Sequence, residues 1–145
     1  TGAKVYCLDI SPSSLDVLKK NFIKFENFQT VVGDIEKLPF DNKKFDAVLS
    51  AGTLSYGDSI KVDKEIMRVL KKSGVFICVD SLNHNPIYKI NRYIHYLKNK
   101  RSKMTIKNMP NLKRITDLMS NFSKKNIKFF SRAILKNSTF LEFFL

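Results

Sequence analysis

The sequence predicts an α/β fold built on a mostly parallel sheet, on three observations. Apolar runs recur at residues 4–9, 28–32, 45–50 and 75–79, and each is continuous rather than alternating, the pattern of strands covered on both faces. Helices or helix-like connections separate them, the spacing of a parallel sheet. With 145 residues, 43% of them hydrophobic, the chain can bury one core; it is too short for two ordinary domains and too apolar to be disordered.

The elements follow in order. Residues 4–9, KVYCLD, form a strand ending in an acid. Ser11 is the candidate N-cap of the next helix, with Pro12 at its first position and Leu15, Leu18 and Phe22 at helical spacing. FQTVV, at 28–32, is the second strand and runs into Gly33-Asp34; residues 38–42, Leu-Pro-Phe-Asp-Asn, are a turn. FDAVLS, at 45–50, is the third strand. Asp58 or Ser59 caps a helix to Leu70, with Ile60, Ile66, Met67 and Leu70 largely on one side and Val62 and Val69 flanking; Lys71 and Lys72 are expected at its C-terminus, with Gly74 as a left-handed stop. VFICV, at 75–79, is the fourth strand and ends in Asp80. Beyond it, residues 86–100 form a helix with Ile87, Ile90, Ile94 and Leu97 on one stripe and Lys89, Arg92, Tyr96 and Lys100 on another. Residues 98–108 are expected to be irregular. Pro110-Asn111 starts a helix bearing Leu112, Ile115, Leu118, Met119 and Phe122, and 127–130 and 139–145 close the chain as strands.

Charge divides the chain unevenly. Lys plus Arg is 26 against 13 acids, a net +13, yet residues 1–80 hold 12 basic and 11 acidic groups and residues 81–145 hold 14 and 2. No acid lies anywhere between Lys89 and Arg114. Such a block is an interaction surface for something anionic or a solvated face. No apolar run approaches a membrane span, and the first segment has no basic region and long apolar stretch of a secretory signal. Cys7 and Cys78 sit inside apolar runs and are expected as buried, reduced thiols, consistent with the cytoplasm; no metal site is expected from two cysteines and two scattered histidines.

In open parallel sheets ligands bind beyond the carboxyl ends of the strands. Here those ends are Asp9-Ile10, Gly33-Asp34-Ile35, Ser50-Ala51-Gly52 and Asp80-Ser81. A carboxylate at such an end accepts from two vicinal ribose hydroxyls, although Asp9 reads equally well as a cap for the following helix.

Taken together, Gly2-Ala3-Lys4-Val5 with Asp9-Ile10-Ser11, Gly33-Asp34 with Glu36, Leu38-Pro39-Phe40-Asp41, Phe45-Asp46, and Arg68-Val69-Leu70-Lys71 with Gly74 before VFICV resemble class I S-adenosylmethionine-dependent methyltransferases, over about residues 2–80 and more loosely near the C-terminus. The resemblance implies a Rossmann-like, mostly parallel sheet with a C-terminal antiparallel strand, in one domain spanning 1–145. It implies that Asp9 holds the cofactor ribose, Ile10 lies against adenine, Asp34 accepts from the adenine amino group, Ile35 covers the other ring face, and Ser50 and Ala51 pass the methionine part. The family's first strand, Gly-rich loop and first helix have no counterpart after Thr1, so the chain is expected to be N-terminally truncated.

Methyl transfer from a sulfonium is an in-line displacement governed by alignment, with a base needed only where the acceptor must lose a proton. The candidates are Tyr56, Asp80 and His84, with His95 behind them. The basic stretch at about 84–110 occupies the place where this family inserts substrate-recognition elements, and Lys89, Arg92, Tyr96 and Arg101 are its candidate substrate residues. Residues 85–94 with Arg101, Ser102 and Thr105 resemble bacterial methyltransferases of surface-polysaccharide synthesis, which implies a hydroxyl acceptor on a small molecule or phosphate-bearing glycan. The same charge suits RNA, with Tyr88, Tyr93 and Tyr96 stacking on bases, or an anionic leaflet with a lipid or quinone acceptor. A methyltransferase-like binding protein without activity is the remaining alternative.

Overall fold

The computed structural model describes residues 2–83, 86–99, 102–132 and 136–144. The chain divides into two compact units, Thr1–Pro39 and Phe40–Leu145, and each is described by itself.

The first unit is a β-α-β arrangement of β1 (Val5–Asp9), α1 (Pro12–Asn21) and β2 (Phe28–Val32). The two strands pair in parallel from Val5 opposite Phe28 to Asp9 opposite Val32. Ser11 caps α1 through its hydroxyl, which accepts from the Ser14 N–H, and Pro12 spends no donor at the first helical position. Leu15 is the buried residue of this helix, and Phe22 stacks on Phe28 with ring centroids 5.0 Å apart, closing the return into β2.

The second unit contains β3 (Phe45–Ala51), α2 (Ser59–Val69), β4 (Leu70–Asp80), α3 (Pro86–Leu97), α4 (Lys103–Lys107), α5 (Leu112–Met119), β5 (Lys124–Arg132) and β6 (Lys136–Phe144). Its sheet has the order β3-β4-β6-β5, with β3 and β4 parallel and β6 antiparallel to both its neighbours, as the mostly parallel sheet with a C-terminal antiparallel strand requires. Asp58 caps α2 by accepting from the Ile60 and Lys61 N–H groups, and Val62, Ile66 and Val69 bury one face of it, so the valines expected to flank the stripe lie in it while Ile60 is 78% exposed. Arg68 holds the turn before β3: its guanidinium pairs with Glu65 and donates to the Phe40 carbonyl at 2.6 Å and to Asn42.

Three local expectations are corrected. Residues 71–74 do not end α2 as a glycine-stopped turn; β4 begins at Leu70, and these residues bulge between the pairs Phe45–Leu70 and Ala47–Val75. Gly74 is needed there for closeness: a Cβ would stand 2.8 Å from Leu70 Cδ2 and 3.0 Å from the Lys71 carbonyl. Residues 103–107 form α4, because Ser102 accepts from the Thr105 N–H and starts a turn within an otherwise polar stretch. Finally, β4 is not equally covered on its two faces; Gly74, Phe76, Cys78 and Asp80 are buried while the alternate residues are half-buried. Phe76, with Phe122 stacked at 6.3 Å, Ile115 and Leu118 form the core on the buried side.

Both cysteines are free, Cys7 half-buried and Cys78 buried. Burial, with the Asp80 charge, pushes the Cys78 thiol up to about 12, and burial raises Cys7 as well. Iodoacetamide at pH 8 is therefore expected to label Cys7 about tenfold or more faster than Cys78, which has little thiolate and little access. Equal rates by peptide mass spectrometry would contradict this environment.

Candidate functional site

In the first unit the ends of β1 and β2 lie side by side. The Gly33 N–H donates to the Asp9 carbonyl at 3.1 Å, so the dipeptides Asp9-Ile10 and Asp34-Ile35 emerge at the same end of two paired strands. Asp9 Oδ1 accepts from the Ser11 N–H at 2.8 Å, so Asp9 does steady the entry into α1, as the capping alternative held. Its second oxygen has no partner among the described residues. Asp34 repeats the arrangement: Oδ1 accepts from the Glu36 N–H at 2.8 Å within a tight turn in which the Lys37 N–H reaches the Asp34 carbonyl. Each carboxylate thus has one oxygen fixed by an amide and one with no hydrogen-bond partner among the described residues. Ile10 is 71% exposed and Ile35 half-buried, which leaves apolar surface beside both acids.

In the second unit, the strand ends carry a turn that is tightly held from several directions. Gly52 adopts φ +69°, open to glycine without strain, and its N–H donates to the Val79 carbonyl at 2.7 Å, bending the chain off β3. Ser50 Oγ and Thr53 Oγ1 share a hydrogen bond of 2.6 Å, and the Tyr56 N–H closes the turn on the Thr53 carbonyl. Leu54 and Ser55 are fully buried. The Leu54 N–H donates to Asp80 Oδ2 at 3.1 Å and its carbonyl accepts from Arg114 Nη1 at 2.8 Å, while the same guanidinium makes a two-pronged pair with Asp63 through Nε at 3.1 Å and Nη2 at 2.7 Å. Asn108 Nδ2 donates to the Gly57 carbonyl at 2.9 Å. Arg92, 4% exposed, reaches Ser55 Oγ and the Thr105 carbonyl, each at 3.4 Å.

This assigns the expected site residues to different tasks. Asp80 is 2% exposed, with Oδ1 on the Ser81 N–H and Oδ2 on Leu54, so as a base it is poorly presented to an acceptor; it holds the turn. Burial raises its carboxyl above the ordinary carboxylate range, opposed by the two amides and by the Arg92 and Arg114 charges. Arg92 departs from the expected exposed basic face because its guanidinium is an internal anchor. Tyr56 is exposed on the turn, Ser50 is buried and Ala51 exposed at the end of β3, Lys89 is exposed and Tyr96 half-buried. His84 and Arg101 lie outside the described residues. Arg114, Asp63 and Asn108 were not singled out as site residues by sequence reasoning. The available signal was chemical: the chain has 21 lysines and 5 arginines, and Arg68, Arg92 and Arg114 all reach carbonyls from partly or fully buried positions, which a planar fork does better than an ammonium. The concave surface lined by Asn42, Met67, Arg68, Leu70 and Ser73 lies at the opposite end of β3 and β4.

Comparison with known proteins gives a consistent set of likenesses. The family model Methyltransf_11, described as a methyltransferase domain, matches residues 1–78. The chain is 37% identical over 84 residues to the demethylmenaquinone methyltransferase of Staphylococcus epidermidis, covering 57% of this chain and 35% of that protein. It is 33% identical over 99 residues to the sterol 4-C-methyltransferase strm-1 of Caenorhabditis elegans, covering 66% and 29%. The chain thus spans about a third of the length of these curated relatives. Among solved structures, the N-methyltransferase NodS of Bradyrhizobium japonicum, in complex with S-adenosyl-L-homocysteine, superposes with a TM-score of 0.72 at 9% identity, covering 97% of this chain and 66% of that one; a methyltransferase of Aquifex aeolicus gives 0.63 at 14%, covering 97% and 68%. At these identities the structures establish the Rossmann-like fold.

Proposed function

We propose, on the premise that the chain belongs to the Methyltransf_11 family of methyltransferase domains, that it is an S-adenosylmethionine-dependent methyltransferase acting on a small-molecule acceptor. The observation that carries this is the pair of acid-isoleucine strand ends in the first unit, joined by the Gly33-to-Asp9 hydrogen bond. An adenosine group presents two vicinal hydroxyls, one exocyclic amino group and two apolar ring faces. Asp9, with one oxygen still available, accepts from the ribose hydroxyls; Asp34, likewise half-occupied, accepts from the amino group; Ile10 and Ile35 supply apolar cover. When bound, the cofactor supplies a methyl group on a sulfonium sulfur. In the second unit, Ser50 and Ala51 at the end of β3 are assigned to its methionine part and Tyr56, exposed on the turn at 52–57, to the acceptor. The work of these residues is alignment, with Tyr56 or His84 taking a proton where the acceptor must lose one.

The narrower acceptor, a hydroxyl on a phosphate-bearing glycan, is supported by the basic stretch but draws on fewer cations than the sequence suggested, since Arg92 and Arg114 are internal. A lipid-soluble acceptor is the second reading, favoured by relatives named for a menaquinone precursor and a sterol. Equilibrium binding of radiolabelled S-adenosylmethionine tests the cofactor site. Loss of a hydrogen bond to a charged group is worth about 1.5–3 kcal/mol, so Asp9→Ala is expected to weaken binding about 10- to 100-fold, and Asp34→Ala comparably, at unchanged circular dichroism. Full affinity in both variants would sink this assignment, and absence of binding in the full-length protein would sink the enzyme reading.

A further inference from the structure

Helix α3 is mounted with its apolar stripe outward. Arg92 is buried against Ser55 and the Thr105 carbonyl, and His95 and Tyr96 are half-buried on the same general side. Ile90 is 60% exposed, Tyr93 54%, Ile94 42% and Leu97 62%. Their spacing, i, i+3, i+4 and i+7, puts all four on one line along the outer surface. At about 100° per residue, Lys89 and Lys98 fall roughly 90° to either side of that line and Arg92 nearly opposite it. The guanidinium anchor therefore fixes the rotation of the helix, and the exposed stripe is a consequence of it. Met104, 50% exposed, and the exposed Lys103 and Lys107 of α4 extend the same chemistry.

We infer that α3 is an interfacial helix that seats this chain on an anionic lipid surface, with Ile90, Tyr93, Ile94 and Leu97 entering the headgroup boundary and Lys89 and Lys98 meeting lipid phosphates. Charge complementarity selects this occupant. Residues 81–116 contain no acid, so the surface repels a second copy of itself while it attracts an anionic leaflet. Apolar residues flanked by lysines are the composition of helices that lie in a membrane interface. No helix among the described residues is long and apolar enough to cross a membrane, so contact of this kind is peripheral. The inference stands independently of methyl transfer.

The test is co-sedimentation of the chain with phosphatidylcholine vesicles that contain or lack about 30% phosphatidylglycerol. Binding about tenfold or more tighter to the anionic vesicles is expected, weakened by added salt. Ile94→Asp with Leu97→Asp should reduce it about tenfold or more, and Lys89→Glu with Lys98→Glu should erase the preference for phosphatidylglycerol, each with unchanged circular dichroism because the altered side chains are exposed. Binding indifferent to Ile94 and Leu97 would overturn the proposal by showing charge attraction without insertion. So would a concentration-dependent dimer, or tight RNA binding, abolished by the same apolar substitutions while vesicles are ignored.

Discussion

Replacing Arg114 by alanine is expected to lower the stability of the chain by about 3–5 kcal/mol, and to lower turnover further than cofactor affinity. The guanidinium spans α2 and the turn after β3, with two donors on Asp63 and one on the Leu54 carbonyl. Its side chain is 11% exposed and that of Asp63 21%, so removal leaves a largely desolvated carboxylate and a carbonyl on a fully buried residue without their donors. Lysine keeps the charge but cannot offer three donors in one plane, so Arg114→Lys should recover less than half of the loss. Urea unfolding measures the first effect, and the melting point should fall by about 10 °C or more. On the proposed function, in which Tyr56 on the turn at 52–57 meets the acceptor and Asp9 and Asp34 meet the cofactor, Arg114→Lys should reduce kcat more than it changes S-adenosylmethionine binding. A lysine variant with parental stability would show that the fork geometry is immaterial.

The same cluster explains why the fold was more legible in the sequence than the site. Strands at 28–32 and 75–79 and the caps at Ser11 and Asp58 follow from local rules, since continuous apolar runs and capping side chains act within a few residues. The start of β4 did not, because Gly74 near two lysines has the composition of a helix stop, and only the approach of Leu70 and the Lys71 carbonyl reveals that it serves a bulge. Asp9 and Asp34 stand at paired strand ends where the sequence puts them, because an acid directly after an apolar run marks the strand's end. Arg92 and Arg114 were not recognisable, because a basic run without acids looks the same whether its side chains face water or reach carbonyls many positions away in the chain. The helix carrying Arg92 starts at Pro86 as expected, and Ile90, Ile94 and Leu97 share one exposed stripe, but Tyr93 joins them and Lys89 is exposed rather than turned inward with Arg92; which side faced inward depended on Ser55 and Thr105, which no local pattern contains.

Asp80→Ala should be comparably severe, about 3–5 kcal/mol, for a related reason with a different pH signature. The carboxylate accepts from the Leu54 and Ser81 N–H groups and faces the charges of Arg92 and Arg114; alanine leaves both amides without an acceptor and removes a negative charge near both guanidiniums, of which Arg114 keeps its pair with Asp63. Asp80→Asn keeps the shape and one oxygen but turns an NH₂ toward the second amide, donor against donor, so an intermediate loss is expected. The pH dependence separates charge from shape. Burial holds the folded carboxyl above its ordinary value of 3.8, so between the two values the folded state binds more protons than the unfolded state, and stability from this group falls as pH rises through that window. Above the raised value the folded chain carries the full cost of keeping the carboxylate buried. Asparagine does not titrate, so the stability gap between parent and Asp80→Asn should be wider near pH 4 than at pH 7, measured by urea unfolding at each pH. A gap that widens toward pH 7 would mean that the arginines and amides outweigh burial and hold the carboxyl below, not above, its ordinary range.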